Sequence, residues 1–570
     1  MALSGQTKLL IWQISNADAI VRMGKCTAMK TVTTDVLVIG GGAAGLRAAI
    51  EARRSKVDVL LVTKTPAGLG NCTAYAGGGF QASFGKMTPE EHFERTVRGG
   101  RFLGNQRLVE VMAGEAASRL LELREFGVSI ETGDGTASVR GSFMMNGTGL
   151  TFPLVRFARS SGVSILQDIV VAKLCKNGDG VVGAVGFNRM NGEVVAFQAK
   201  STVLTTGGAG QVYSRTDTPV GTTGEGYAMA YEAGAGLIDM EFVQFFPFGL
   251  VEPGLPMFLF NPGVVEMGRL VNSQDKEFLR EAGYSPGRDF VQHRDTLSKL
   301  ICTEIHEGRG DQDAVLLDLK KPKETQYSLS MLGEFKEIKQ KWLSKLDLTK
   351  QRLHIAPLVH YFMGGIEIDE NGATNLPGLF AAGEVTGGVD GANRLGGNAL
   401  TNTIVFGARA GRSAAEYAKS SPRFAPLDSC VRELDGYLSE LRRRSPSAGS
   451  RPREIRRRLQ KMMVKHVGVI RTGETIENAF ECLRELRNDL SRMYASNHWE
   501  AGEALEVEAM ITVSEIVTRC ASERAESRGA HYRLDHPEEN TDWLKNIVVE
   551  RVGREMRIRT RKTISKSPSG

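Results

Sequence analysis

Residues 34–39 (TDVLVI) form an apolar run that ends directly in glycines. Residues 46–54 then read as a helix, and residues 57–62 (VDVLLV) as a second buried strand. Together they predict a βαβ unit. The pattern of an apolar run closed by glycine returns at 201–208 (STVLTTGG) and again, far downstream, at 378–384 (GLFAAGE). Strands of one kind spread this widely predict a discontinuous α/β domain interrupted by an insertion over about 251–350. That insertion is richer in charge and in helix formers. After about residue 425 the chain turns strongly helical and charged, with breaks near Ser445–Pro452 and at Thr472. No repeat of about 20–50 residues is present.

The first glycine cluster carries chemistry. Gly40-Gly41-Gly42-Ala43-Ala44-Gly45 fits GxGxxG and stands where a strand passes into a helix, the context that makes this otherwise weak motif meaningful. Gly40 permits the tight turn, Gly42 lets a pyrophosphate approach the backbone, and Gly45 lets helix and strand pack closely. The helix N-terminus then faces phosphate charge. The second strand runs into Thr63-Lys64 rather than into an acid that would hold a ribose, and a basic end there is compatible with NADP. The downstream run GLFAAGEVTGGVDGANRLGGN (378–398) favours a flavin instead. Its Gly383-Glu384 closes a strand with an acid able to hold ribityl or ribose hydroxyls. The helix that follows aims its N-terminus at the ring, where a positive end favours the anionic reduced flavin.

Bulk properties narrow the rest. The composition is that of an ordinary globular chain, 41% apolar and 24% charged, with length enough to bury a large core without disulfides or a structural metal. A net charge of +6 is mild for this size and does not call for nucleic acid. The basic clusters Arg442–Arg444, Arg451–Arg458 and Arg551–Lys562 read as solvated helix faces and a disordered tail. Seven cysteines without a CxxC pair exclude an iron–sulfur cluster held by this chain and fit a reducing cytoplasm. No run of about 18 apolar residues offers an integral membrane segment. The first thirty residues hold one short apolar patch, Leu9–Ile14, too short for a secretory signal. They read as a weak targeting segment or an overlong start, with Met29 a natural alternative beginning.

Longer segments carry a resemblance. TDVLVIGGGAAGLRAA (34–49), TTGGAGQVY (205–213), TGEGYAMAYEAGAGLIDMEFVQF (223–245), HRDTLSK (293–299), EGRG (307–310), HYFMGGI (360–366), GANRLGGN (391–398) and ESRGAHYR (526–533) resemble the succinate dehydrogenase/fumarate reductase flavoprotein family, which includes L-aspartate oxidase. The basic strand end is common there and no longer favours NADP. The resemblance implies a Rossmann-like FAD-binding domain in two pieces, 31–250 and 351–424, with an inserted α+β capping domain at 251–350. A C-terminal helical domain (425–548), a basic tail (549–570) and a disordered N-terminal extension (1–30) complete the expectation. It further implies FAD held by Gly40, Gly42, Ala44, Gly45, Thr63, Lys64, Cys72, Thr73, Gly78, Gly79, Gly207, Glu225, Glu384, Arg394, Asn398 and Leu400. Hydride would pass between flavin N5 and a carbon next to a carboxylate, with Arg294 moving the proton and His360 and Arg394 clamping the acid. Structural alternatives are a surface ion pair of Arg294 with Asp295 and a satisfied core role for His360.

Three departures reshape that expectation. Cys72 stands where many respiratory members carry the histidine that binds FAD covalently, so non-covalent FAD and a buried thiol are expected. Phe246 replaces a histidine for the substrate carboxylate. Asn261 and Val264 take the places of the glutamate and arginine that feed protons to the catalytic arginine. One wall of the pocket stays cationic and the other becomes apolar. The implied substrate is a small organic acid with one carboxylate and an apolar or aromatic remainder. An iron–sulfur subunit, or molecular oxygen as in aspartate oxidases, would take the electrons, and such a subunit would hold the chain at the inner face of a membrane. The rival readings are a true fumarate reductase or L-aspartate oxidase, and a non-catalytic FAD-containing electron-transfer subunit.

Overall fold

The computed structural model describes residues 30–565, apart from 142–144, 291–292, 323–331, 422–423 and 447–448. The expectations for the N-terminal extension lie outside the described residues, Lys30 excepted. The fold is α/β, with a capping domain and a C-terminal, mainly helical domain.

The strand Lys30–Ile39 lies inside the main sheet, between the parallel strands Val59–Val62 and Val194–Leu204. Its last four residues are fully enclosed, which is why they read as an unbroken apolar run. Ser164–Leu166 extends one side in parallel, and Leu379–Ala381 pairs in parallel with Val194–Leu204 on the other. The chain therefore leaves the central strand to both sides. That topological switch opens a crevice at the carboxyl ends of the strands, where nucleotides bind in such sheets. The helices Ala43–Arg54 and Asn398–Ser420 pack together across the face of this sheet, so the two halves of the domain share one core.

The capping sheet is antiparallel and ordered Phe258–Leu259, Val243–Leu250, Leu353–Phe362, Val315–Asp318, Arg269–Val271. It begins before 251 and ends after 350, so its two long strands form a stem running out of the nucleotide domain. Val243–Leu250 is buried on both faces, and its alternate residues serve different cores. Phe245 joins the nucleotide-domain core, whereas Phe246 and Phe248 join the cap. An uninterrupted apolar strand leaves no compositional break at the boundary.

The C-terminal domain holds the helices Asp428–Arg443, Pro452–His466, Gly473–Leu490 and His498–Glu523. Thr472 caps the third, accepting from Thr475 N at 3.1 Å. The expected basic tail is different. Lys545–Val552 and Glu555–Lys562 form a hairpin that pairs with Leu237–Ile238 of the nucleotide domain. Ile547, Val548 and Val549 are fully buried, and the basic residues of the second strand alternate with Met556 and Ile558, which pack on the core. Period-two alternation had the appearance of a charge run. Among the described residues no helix is long and apolar enough to cross a membrane.

Candidate active site

Gly40 adopts φ 123°, and a Cβ there would lie 2.2 Å from the Thr205 carbonyl oxygen. A Cβ on Gly45 would lie 2.0 Å from the Gly40 carbonyl oxygen, so Gly45 serves helix–strand packing and does not line the cleft. Gly42 caps the helix Ala43–Arg54 without a side-chain hydrogen bond, leaving the helix end open to the crevice. Thr73 Oγ1 accepts from Ala43 N at 3.2 Å.

The crevice holds about 920 Å³ of space, open mouth included. Gly40, Gly42, Ala44, Thr63, Lys64, Cys72, Thr73, Gly207, Glu225 and Glu384 line it together. Gly78, Gly79, Arg394, Asn398 and Leu400 do not. Asn398 is engaged elsewhere, with its Oδ1 3.0 Å from His92 Nε2 and its Nδ2 donating to Thr96 Oγ1 at 3.0 Å. Sequence reasoning missed Asn71, Thr206, Thr222 and Thr403, which also line the crevice. Of these only Asn71 carried a local signal, as the N-cap of the short helix Cys72–Tyr75.

Lys64 is not free to bind a phosphate. Its Nζ pairs with Glu225, with Glu506 at 2.9 Å, and with Thr223 Oγ1 at 2.7 Å. Burial opposes its charge, but the two carboxylates outweigh burial and hold it above the ordinary lysine range. Glu384 is buried and accepts from Phe362 N at 3.1 Å. Burial pushes its carboxyl up to about 7, against the pull of that N–H and of Arg394. Thr206 Oγ1 is buried without a hydrogen-bond partner. Open glycines, a helix end capped only by Thr73, an unsatisfied hydroxyl and a carboxyl at a strand end fit the phosphates and hydroxyls of FAD. Cys72 Sγ lies 3.6 Å from Thr222 Oγ1, and burial, with Glu384 and Asp217 nearby, pushes its thiol well up.

The residues expected to act on the substrate lie where the stem strands meet the cap. Arg294 opens the helix Arg294–His306, its guanidinium 4.5 Å from the Phe290 ring centroid and 5.4 Å from that of Phe246. Phe246 packs 4.8 Å from Phe290 and edge-on to His360 at 5.5 Å. Phe248 also stacks on Phe290, and Phe260 is fully buried against Phe258. His360 is half-buried, with Nδ1 2.9 Å from Asp217 Oδ2. Arg394 lies over the Tyr361 ring at 4.4 Å and donates to Gln244 Oε1 at 2.9 Å and to the Leu395 carbonyl at 3.2 Å. Gln244 in turn donates to Asn393 Oδ1 and to the Arg394 carbonyl, both at 3.0 Å. Strand pairing sets Gln244 opposite Tyr361 and Phe246 opposite Leu358, and Phe246 meets the His360 ring.

The alternative pairing of Arg294 with Asp295 is not seen: Asp295 accepts from Arg101 at 3.1 Å. Asn261 caps the short helix Pro262–Glu266 by accepting from Gly263 N at 3.1 Å, and Val264 is fully buried in the cap core. Neither side chain carries a titratable proton. Glu266, two residues past Val264, is a carboxylate that sequence reasoning passed over. Its Oε2 is buried without a hydrogen-bond partner and lies against Gly287.

Residues 35–400 match the model of an FAD binding domain, and residues 456–568 that of the fumarate reductase flavoprotein C-terminus. The chain belongs to the succinate dehydrogenase/fumarate reductase flavoprotein family. It is an FAD-dependent oxidoreductase. It is 38% identical over 546 residues to a CoM/CoB fumarate reductase subunit of Methanothermobacter marburgensis, covering 91% of this chain and 97% of that one. It is 30% identical over 562 residues to the succinate dehydrogenase flavoprotein subunit of Rickettsia bellii, covering 90% and 92%. Among solved structures, an Escherichia coli quinol fumarate reductase flavoprotein superposes with a TM-score of 0.85 at 28% identity, covering 95% of this chain and 98% of that one. Mycobacterium smegmatis Sdh1 superposes with a TM-score of 0.83 at 31% identity, covering 94% and 95%.

Proposed function

We propose that this flavoprotein moves a hydride to or from the carbon next to the carboxylate of an organic acid that bears one carboxylate and an apolar or aromatic remainder. The observation that carries the reading is the aromatic lining around Arg294: Phe246 and Phe290 under the guanidinium, with Phe246 against His360. FAD, when bound, supplies the hydride chemistry at its N5. Arg394 and His360 take the carboxylate, a fixed guanidinium and a polarised imidazole being suited to an anion. Arg294 hands the proton to or from the neighbouring carbon. A guanidinium is a poor acid in water, its pKa exceeding about 12. Desolvation between two rings, in a site that concentrates charge, makes the transfer feasible. The phenyl rings shut water out and leave a second carboxylate without a partner.

The FAD is held non-covalently: no histidine stands at position 72, and the half-buried Cys72 thiol lies 3.6 Å from Thr222 Oγ1 with its titration pushed up by its surroundings. Electrons leave to an iron–sulfur partner protein or to oxygen, and a partner would place the chain peripherally on a membrane. A second reading, reduction of fumarate itself, is favoured by the name of the M. marburgensis relative. Rapid-mixing reduction or reoxidation of the bound flavin with fumarate, succinate, crotonate and trans-cinnamate separates the two. Reaction with the monocarboxylates alone supports the first reading. Reaction with fumarate or succinate at ordinary enzyme rates supports the second, and silence with every acid points to an electron-transfer role.

A further inference from the structure

A second cleft lies where several parts of the chain meet, with Gln244, Asn393 and Val469 also on its wall. Most of its wall comes from the loop after the helix Pro89–Gly99, the first turns of the helix Arg294–His306, and the segment 527–539. In that loop Arg101 and Phe102 take φ of 53° and 62° in succession. Side chains rarely adopt this backbone unless the surroundings enforce it. The Phe102 ring is half exposed, so burial of that ring is not the reason. The turn sends the Arg101 guanidinium across the cleft to Asp295 Oδ2 at 3.1 Å, with Glu539 3.8 Å away. The Arg101 carbonyl accepts from Arg528 at 3.4 Å. The same loop grips the segment that leads to Arg394. Ala392 N donates to the Gly100 carbonyl at 2.9 Å, and Asn105 N to the Gly388 carbonyl at 2.7 Å. Asp295 directly follows Arg294 in the first turn of its helix, where an acid also suits the helix dipole.

We propose that Arg101 is a positioning residue: by clamping Asp295 from a loop anchored to the Arg394 segment, it sets Arg294 in register with Arg394. The proposal rests on the reading of Arg294 as the proton-transferring group. A guanidinium that must meet both a carbon and a carboxylate tolerates little drift, since misplacement by about 1 Å can cost roughly 10²-fold in rate. Without the clamp, the first helical turn is tied to the nucleotide domain less firmly.

The test compares the flavin-loaded protein with Arg101→Ala, Arg101→Lys and Asp295→Asn, and with Arg294→Ala as control. Two readouts are taken: backbone hydrogen exchange over 294–300 by mass spectrometry, and viologen-linked turnover of fumarate and trans-cinnamate. Arg101→Ala and Asp295→Asn are expected to speed exchange over 294–300. They should lower kcat by roughly tenfold or more with KM little changed and flavin content unaltered. Arg101→Lys, which keeps the charge, should recover part of both. Unchanged exchange in both clamp variants overturns the proposal, as does faster exchange with wild-type kcat while Arg294→Ala is inactive. If Arg294→Ala itself retains turnover, the underlying reading of Arg294 fails, and exchange still decides whether Arg101 clamps the helix. Should Arg101→Ala not fold, Asp295→Asn breaks the same contact from the other side.

Discussion

Phe246→His should turn this pocket toward dicarboxylates. In the native site the Phe246 ring lies 4.8 Å from Phe290, 5.5 Å from His360 and 5.4 Å from the Arg294 guanidinium, so a second carboxylate arriving there meets carbon. An imidazole at the same position offers an N–H, and beside Arg294 it stays neutral while donating. A hydrogen bond to a charged group contributes about 1.5–3 kcal/mol, or roughly 10–150-fold in kcat/KM for fumarate at about 1.4 kcal/mol per tenfold. Loss of the aromatic pair costs an aromatic substrate about 0.5–1.5 kcal/mol, a further factor of roughly 2–10 against trans-cinnamate. The preference ratio between the two acids should therefore swing by about 20-fold at least. Viologen-linked reduction of both acids, normalised to flavin absorbance, measures it. Equal changes for the two acids would refute the reasoning, because a general packing defect has no preference for either. So would a wild-type kcat/KM for fumarate already near about 10⁴ M⁻¹ s⁻¹ or above.

Acid precipitation of the purified holoprotein should release all of its yellow colour to the supernatant, whereas flavin retained in the washed pellet would implicate Cys72. Arg294→Ala should lower turnover by about 10²-fold or more, the order expected for loss of a general acid, with flavin content unchanged; near-normal turnover removes Arg294 from the mechanism. Glu384 gives the apoprotein a pH dependence. Its folded-state pKa is raised from 4.5 to about 7, so the folded state binds the proton more tightly than the unfolded chain does. The stabilisation is complete below about pH 4.5 and is lost as pH rises toward 7, a change on the order of 3 kcal/mol. Chemical denaturation of apoprotein between those pH values should show a decline from this group that Glu384→Gln flattens; parallel curves for the two proteins would contradict it.

Much of the cofactor crevice was legible in the sequence because its constraints are local. The turn at Gly40, with φ 123°, and the close packing of Gly45 on the Gly40 carbonyl fall within one short segment and need glycine for reasons internal to it, although Thr205 from a distant strand also crowds Gly40. The expectation that Phe246 stands in place of an anion-binding histidine rests on residue type alone, since a side chain's hydrogen-bonding capacity belongs to the residue itself. Partners were not readable. Lys64 looked like a free basic strand end, yet one of the acids that neutralise it, Glu506, lies 442 residues away. Arg294 and Asp295 are neighbours in sequence, yet Asp295 pairs with Arg101, 194 residues distant, because one helical step turns adjacent side chains to different faces. The part of the Lys545–Lys562 hairpin from residue 549 onward read as a basic tail, and its start as the end of the helical domain, since charge alternation alone does not reveal that a strand at Leu237–Ile238 stands ready to pair with it. Backbone geometry and the chemistry of a single side chain are written locally along the chain. The choice among many possible counter-ions and strand neighbours is made only by packing, which brings together groups whose sequence separation carries no signal.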